Sequence, residues 1–263
     1  MLKKVVAVLL PLTEQFELGV ACEVFGFDRS DEGLPTYDFS LIAGVPDTIR
    51  TRVGYTIDVP HDLDRLDSLI LMNDSVYGPF WNLRDTLAKI DIATTDFWGI
   101  TDSFENLHHI QTFFMVFMPN ALRSTALKNF WTRLLYINHR MWVIRNAEVK
   151  LTHVLQDAQL KVGVLAPYGA VAEIAQARLA HQATPDVGHA AFERFRAQIM
   201  KDGVVNPTQF FWDVLITDYA CPFIKRDLLT SNPNNVPGTS RWGDLISEHS
   251  SYDVGMIARH LAR

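Results

Sequence analysis

The sequence predicts an α/β fold with a mostly parallel, Rossmann-like sheet, flanking helices and a mainly helical C-terminal part. Short apolar runs typical of strands occur at residues 5–10, 37–43 and 69–72. A stretch with helical spacing lies between the first two runs, and the pattern becomes mainly helical after Gly163. The chain has 263 residues, enough for a sizeable core in one large domain or two small ones.

Composition and charge exclude several classes of protein. The net charge is −6 and no basic stripe is present, which argues against nucleic acid as a partner. No run of eighteen apolar residues exists, so we expect no transmembrane segment. Two widely separated cysteines predict neither a disulfide framework nor a zinc site, and they favour a reducing, cytoplasmic setting. Nothing in the sequence fixes an oligomeric state.

The first sixty residues show a β-α-β-β pattern. Residues 14–27 have an apolar stripe at helical spacing, formed by Phe16, Val20, Val24 and Phe27, and we expect this stripe to pack on the sheet. Residues 49–59 resemble a hairpin around Gly54.

A strand followed by polar residues is the first candidate site. The apolar run 69–72 predicts a strand buried on both faces, and it ends at Asn73, Asp74 and Ser75. Ligands of open α/β sheets bind beyond the carboxyl ends of strands, so this position suits an amide and a carboxylate that hold a ligand. The alternative is that the three residues only form the turn before Gly78-Pro79.

Residues 96–111 are dense in polar and aromatic side chains, which makes them the second candidate site. Gly99 would let the backbone approach a ligand, and an aromatic face such as Trp98 is a common sugar platform. Asp102 or His109 would act as a general base. Alternatively, His109 opens an apolar helix over 110–117 or is a neutral core residue. We expect His108 to be exposed and without a role.

Three later features have both a structural and a functional interpretation. Glu148 lies on a predicted helix beside Leu151 and Thr152, where a buried carboxylate pairs with Arg145 or serves function. Residues 206–209 have the residue order of a helix start, to which we assign no chemistry. Lys225 either reaches a phosphate or is solvated.

Residues 4–67 resemble the class I glutamine amidotransferase-like domain of some AraC-type regulators. The residues that carry the resemblance are Val5-Val6-Ala7-Val8-Leu9, Phe16-Glu17-Leu18-Gly19, Cys22-Glu23-Val24-Phe25-Gly26, Arg50-Thr51-Arg52-Val53-Gly54-Tyr55-Thr56-Ile57 and Val59-Pro60-His61. The likeness stops before the elbow on which that superfamily carries its cysteine, and we interpret Cys22 as a buried helix residue.

Residues 68–263 resemble the rhamnan synthesis protein F family of glycosyltransferases. The motifs, in chain order, are Asn73-Asp74-Ser75-Val76-Tyr77-Gly78-Pro79, Asp96-Phe97-Trp98-Gly99-Ile100-Thr101-Asp102-Ser103, His109-Ile110-Gln111-Thr112-Phe113-Phe114, Phe130-Trp131, Val143-Ile144 with Glu148, Asn206-Pro207-Thr208-Gln209, Pro222-Phe223-Ile224-Lys225 and Tyr252-Asp253-Val254 to Arg263. Several spaced motifs in order are more specific than any single one.

This resemblance implies a glycosyltransferase-like fold and transfer of a sugar, typically rhamnose, from a nucleotide-sugar donor to a growing cell-surface polysaccharide. It is compatible with peripheral association at the inner face of the membrane. The implied catalytic residues are Asp102, His109 and Glu148. The implied binding residues are Asn73, Asp74, Ser75, Tyr77, Asp96, Trp98 and Gln111. Asp74 is also the candidate ligand of a divalent cation, Mg²⁺ or Mn²⁺.

The two resemblances meet after Asp67, which predicts an amidotransferase-like front segment (1–67) and a transferase region (68–263) that share one sheet. The front segment replaces the part that holds much of the nucleotide in nucleotide-sugar enzymes. Two alternatives to a transferase therefore stay open. One is a non-catalytic small-molecule-binding module of the AraC-sensor type, and the other is an inactive fusion.

Overall fold

The structure is a computed structural model that describes residues 4–34, 36–44, 48–59, 66–135, 137, 139–181, 189–200 and 203–262. The chain divides into two compact units, one formed by Met1–Ser68 with Leu122–Arg133 and the other by Leu69–Ala121 with Leu134–Arg263. The predicted family boundary after Asp67 stays a prediction.

Strands and helices are interspersed in the first two thirds of the chain, and helices dominate the remainder. The strands are β1 (Lys4–Leu9), β2 (Asp38–Ala43), β3 (Ile49–Arg50), β4 (Thr56–Ile57), β5 (Leu69–Met72), β6 (Val76–Tyr77), β7 (Phe97–Ser103), β8 (His109–Ile110), β9 (Phe114–Phe117), β10 (Val162–Ala166) and β11 (Ile224–Lys225). The α-helices are α1 (Gln15–Phe25), α2 (Leu83–Leu87), α3 (Pro119–Arg123), α4 (Thr125–Arg133), α5 (Arg140–Val143), α6 (Lys150–Asp157), α7 (Tyr168–His181), α8 (His189–Met200), α9 (Pro207–Phe210), α10 (Trp212–Tyr219), α11 (Arg226–Thr230), α12 (Trp242–His249) and α13 (Gly255–Leu261). A π-helical turn (Ile144–Val149) joins α5 to α6, and 3-10 turns cover Ser30–Glu32 and Thr239–Arg241.

The first unit contains the predicted β-α-β-β elements. β1 pairs with β2 in parallel, and β3 pairs with β4 in an antiparallel hairpin. A small core of Leu9, Ala43 and Ile49 holds these strands together, and Leu18 of α1 packs against it. The predicted strands, helix and hairpin are therefore confirmed.

The apolar stripe of α1 does not face that core, and the prediction that it packs on the sheet is wrong. Phe16 is 81% exposed, and Val20, Val24 and Phe27 are also exposed. Helical spacing shows that a stripe is apolar but not which side meets the sheet. In this helix Leu18, outside the stripe, makes the contact.

The main sheet lies in the second unit and has the strand order β10-β7-β9-β5, with β8 paired to β7. β10 and β7 are parallel, whereas β9 is antiparallel to both β7 and β5. β5, β7 and β10 consequently run in one direction, with β9 reversed between two of them. The predicted α/β class is confirmed. Parallel pairing is restricted, among the described residues, to β1–β2 and β7–β10, so the sheet is mixed.

β5 confirms the predicted strand but not its burial on both faces. Its residues alternate between half-buried and exposed, and Met72 is 52% exposed. β5 is the last strand of the sheet order, and β9 is its one neighbour among the strands that the structure describes. Its continuous apolar run therefore does not mark a central strand.

The helices after β10 contribute many residues to the main core of the second unit. Phe192 and Ile199 of α8 are buried and belong to this core. Asn206 caps α9 by accepting a hydrogen bond from the Thr208 N–H, with Pro207 in the first turn, as the sequence predicts. The helical segment that begins here is divided into α9 and α10 at Phe211.

The region predicted as an apolar helix over 110–117, in the alternative account of His109, forms β8 and β9 instead. Its aromatic and β-branched residues pack in the sheet, where Phe97 of β7 stacks on Phe117 of β9. Within the described residues, no helix has the length and apolarity needed to cross a membrane.

Gly78 packs closely against the segment that leads into β11. Its φ is +132°, and an added Cβ would lie 2.2 Å from the carbonyl oxygen of Pro222. That carbonyl accepts the N–H of Phe80, so it is not free to move. We expect Gly78→Ala to lower the free energy of unfolding by more than ~2 kcal/mol in urea titration.

Gly243→Ala is the matched control for this prediction. Gly243 lies in α12 at negative φ and has no atom within 4 Å of an added Cβ. The same measurement should show no loss and a gain of up to ~1 kcal/mol, because alanine favours the helix. Equal effects of the two substitutions would contradict the described packing.

Candidate functional site

The carboxyl ends of β5, β7 and β10 lie at one edge of the main sheet, together with the start of β9. This edge collects polar groups that are far apart in the sequence, as expected for the ligand-binding edge of an α/β sheet. They come from the segment after β5, the β7–β8 hairpin, the residues before β9 and the start of α7. All of them belong to the second unit.

Asp102 lies near the end of β7 and is buried. Its Oδ1 accepts the backbone N–H of Tyr168, the first residue of α7, at 2.7 Å. Its Oδ2 lies 3.0 Å from Nε2 of His108. The positive end of a fourteen-residue helix and an imidazole thus stabilise the carboxylate together.

His108 lies on the β7–β8 hairpin, and its side chain is 29% exposed. An ionised carboxylate can only accept, so His108 donates from Nε2 to Asp102 and the neutral ring keeps a lone pair on Nδ1. That Nδ1 has no hydrogen-bond partner in the described part of the chain. A histidine oriented by a carboxylate is an arrangement suited to general-base catalysis.

His109, the predicted base, lies on β8 opposite Ser103. It is buried, and its Nδ1 is 2.8 Å from the carbonyl oxygen of Leu107. His108 directly precedes β8, and the two adjacent histidines have different surroundings. Of the two, only His108 contacts Asp102 among the described residues.

Asp96 lies at the opposite edge of the sheet, immediately before β7. Its carboxylate is buried and accepts the backbone N–H of Lys161 at 2.8 Å and the side-chain amide of Asn120 at 3.0 Å. Six residue steps along β7 separate it from Asp102 by roughly 20 Å. Asp96 therefore joins the starts of β7 and β10 to the end of β9, away from Asp102.

Asn73 and Ser75 follow β5 and contact each other. The Asn73 side-chain oxygen accepts both the backbone N–H and the hydroxyl of Ser75. This pair thus makes the contacts of a turn, and its role in ligand binding stays a prediction. Lys225 of β11 donates from Nζ to the Ser75 hydroxyl at 3.0 Å and lies 4.8 Å from the ring centre of Phe113.

Asp74 points away from this turn, and its side chain is 96% exposed. Arg226 donates from Nη1 to the Asp74 carbonyl at 2.8 Å and to its carboxylate at 3.1 Å. No group of three or more His, Cys, Asp or Glu residues is placed to hold a metal within the described ranges. Asp74 alone, exposed and paired with a cation, does not supply the ligand set of a divalent ion.

Gln111, before β9, is buried and donates from Nε2 to Oδ1 of the helix cap Asn206 at 3.0 Å. Gln209 of α9 is also buried and donates to Asp227 at 2.7 Å. The Oε1 atoms of both glutamines are without a hydrogen-bond partner in the described protein. The segment after Val205, to which the sequence assigned no chemistry, thus contacts the candidate edge.

Glu148 lies on the π-helical turn and is half-buried. It accepts a short hydrogen bond from the hydroxyl of Thr112, directly after Gln111. Its predicted partner Arg145 is exposed and makes no ion pair with it. One turn later, the buried Thr152 accepts the backbone N–H of Ile110 at 3.0 Å, so this helix is fixed to β8.

The other predicted binding residues, Trp98 and Tyr77, contact side chains of this protein. Trp98 is buried, with its ring edge-on to Phe114, so it offers no open face to a sugar. Beside Gly99, an added Cβ would lie 2.3 Å from Ile110, which shows that the core fills this space. The Tyr77 hydroxyl lies 3.0 Å from Nδ1 of His260 on α13.

The buried Cys221 is unsuited to nucleophilic attack. Its thiol donates to the carbonyl of Phe223 at 3.3 Å, and burial raises the pKa of Cys221 to about 12.

His108 is the residue that sequence reasoning missed. The signal was present, because a histidine six residues after Asp102 fits a short hairpin that folds back on the end of the strand. The alternative interpretation of residues 110–117 as a helix did not include this hairpin.

Substitutions of Asp96 and Asp74 should lower stability by different amounts. We expect Asp96→Ala to lower the free energy of unfolding by ~1–3 kcal/mol, because it leaves the Lys161 N–H and the Asn120 amide without their acceptor. Asp74→Ala removes only a solvent-exposed ion pair and should cost less than ~1 kcal/mol. Chemical denaturation measures both, and a larger loss for Asp74 would contradict the described geometry.

Comparison with known proteins adds a family likeness to this geometry. Residues 53–176, 124 of the 263 in the chain, match the family model of rhamnan synthesis protein F. The match begins upstream of the predicted junction after Asp67. The likeness assigned to residues 177–263, and that of residues 4–67 to the amidotransferase-like domain, stay predictions.

Two named relatives are similar over different shares of the chain. Virulence protein VirA of Vibrio anguillarum (strain ATCC 68554 / 775) is 27% identical over 223 residues, which cover 84% of this chain and 67% of that protein. Uncharacterized protein y4gN of Sinorhizobium fredii (strain NBRC 101917 / NGR234) is 30% identical over 89 residues, or 32% of this chain and 23% of y4gN. No solved structure matches the chain. The chain is thus similar to rhamnan synthesis protein F over a segment that contains the whole main sheet and the Asp102–His108 pair.

Proposed function

We propose that this protein is a glycosyltransferase that transfers a sugar, with rhamnose as the first candidate, from a nucleotide-sugar donor to a cell-surface polysaccharide. The observation that carries the proposal is the hydrogen-bonded Asp102–His108 pair at the carboxyl edge of the main sheet. The similarity of residues 53–176 to rhamnan synthesis protein F supports the choice of polysaccharide synthesis.

In the proposed reaction, His108 is the general base. Its Nδ1 takes the proton of an acceptor hydroxyl while the hydroxyl oxygen bonds to the anomeric carbon of the donor sugar. The bond from that carbon to the diphosphate oxygen breaks, and the diphosphate leaves with the electron pair. Asp102 stabilises the imidazolium that forms and fixes the ring orientation, as an orienting carboxylate does in other base dyads.

The donor would be held on the β5 side of the same edge. Asn73, Ser75 and Gln111 are the candidate contacts there, and Lys225 beside Ser75 supplies a positive charge for the diphosphate. The described residues do not fit a divalent cation at Asp74, so charge neutralisation is assigned to this chain's own cations. His109 and Glu148 stay candidate catalytic residues, in positions that support β8 and the start of β9.

The substrate class sets the proposed location. Nucleotide sugars are cytoplasmic and polysaccharide acceptors grow at the membrane, so we place the reaction in the cytoplasm at the inner membrane face. The net charge of −6 offers little attraction to anionic lipid, and contact with the membrane would come through the acceptor.

The first test compares two adjacent histidines. His108→Asn should lower kcat for sugar transfer by about 10²–10⁴-fold, because the base is removed while the fold is kept. His109→Asn tests the competing candidate base. If His108 is the base, activity should fall far less in this variant, because the His109 ring contacts the Leu107 carbonyl and not Asp102. Transfer of radiolabelled sugar to membrane acceptor measures both. A His108→Asn variant with normal kcat would refute the proposed base.

The second test needs no turnover. A nucleoside diphosphate that binds the folded protein should stabilise it by roughly 2–3 kcal/mol at a hundred times its dissociation constant, which thermal unfolding detects. The panel comprises UDP, GDP, ADP, CDP and dTDP, each with and without Mn²⁺. Absence of a shift with every nucleotide would count against a nucleotide-sugar donor.

A further inference from the structure

The β7–β8 hairpin exposes an aromatic ring next to the Asp102–His108 pair. Phe104, one residue after β7, is 46% exposed, whereas the aromatic residues within β7 and β9 are buried. Its ring centre lies 4.9 Å from that of His108 and 5.6 Å from that of Tyr168. Trp98, the aromatic residue that the sequence favoured as a sugar platform, is closed within the core.

The neighbouring rings of His108 and Tyr168 hold Phe104 in place. The Tyr168 hydroxyl accepts the backbone N–H of Val205 at 3.1 Å, which fixes the ring on which Phe104 leans. The hairpin is closed by the Ser103 hydroxyl, which accepts the Glu105 N–H at 3.1 Å, and it turns at Asn106 with φ of +70°. Binding of a partner that stacks on Phe104 would therefore lose little free energy in ordering its side chain.

We propose that Phe104 is the platform on which the acceptor saccharide stacks. A pyranose ring has an apolar C–H face that suits an aromatic ring and hydroxyl groups around its edge. Because the His108 ring contacts Phe104, a hydroxyl of a stacked sugar comes within reach of the base. This inference rests on the proposed function and adds the acceptor subsite to it.

The position of Phe104 favours the acceptor over the nucleotide. The candidate donor contacts Asn73 and Ser75 follow β5, which is two strands from β7 in the sheet order β7-β9-β5. Two strand spacings are about 10 Å, so the hairpin and the β5 turn contact different parts of a bound pair of substrates. Because the base His108 and the platform Phe104 lie in one hairpin, the sugar on the platform is the substrate whose hydroxyl loses its proton.

The test is a series at one position: Phe104→Trp, Phe104→Leu and Phe104→Ala. Methyl glycosides of rhamnose, glucose, galactose, mannose and N-acetylglucosamine are the probes, with binding measured by saturation-transfer NMR in the absence of donor. For the glycoside that binds, the Trp variant should stay within about twofold of wild type, and Leu and Ala should lose about tenfold. In transfer assays, KM should rise for the acceptor and not for the donor.

Phe27→Ala is the matched control, because Phe27 is similarly exposed but lies outside the hairpin. It should bind the glycoside as wild type does, and thermal unfolding confirms that each variant is folded. The inference is overturned if no glycoside binds wild type, if Phe104→Ala binds as well as wild type, or if nucleoside diphosphate binding falls instead. Glycoside binding that depends on Phe104, without any sugar transfer, would uphold the platform and refute the transferase.

Discussion

The buried carboxylate of Asp102 is the constraint on which the rest of the candidate site depends. A carboxylate removed from water needs donors on both oxygens, and here the N-terminus of α7 supplies one and His108 the other. These two bonds connect the end of β7, the start of α7 and the β7–β8 hairpin. They also leave a lone pair of His108 available for a proton.

The direction of the strands explains why this edge collects polar groups from so many segments. β9 is antiparallel to both of its neighbours, and β5, β7 and β10 consequently end together. The stretch similar to rhamnan synthesis protein F contains all of these strands. The later part of the chain adds Asn206 and Lys225, which contact Gln111 and Ser75 across the same edge.

Local patterns predicted the elements better than they predicted the site. The strand at 69–72 and the cap at Asn206 follow from an apolar run and from capping chemistry within a few residues. By contrast, the ion pair of Asp74 joins residues 152 positions apart, which no local pattern contains. The solvent exposure of β5 and of Phe16 in α1 was not predicted either. Residue spacing alone could not show that β5 is the last described strand of the sheet or that Phe16 faces outward.

The tautomer of His108 is the most direct test of this account, and long-range ¹H–¹⁵N NMR of the imidazoles measures it. At a pH where the ring is neutral, the hydrogen bond to Asp102 requires a proton on Nε2 and a bare Nδ1. We expect the Nε2–H form to dominate in the wild type and to lose that dominance in Asp102→Asn, whose amide can also donate. A proton on Nδ1 in the wild type, or a spectrum that Asp102→Asn leaves unchanged, would contradict the proposed base.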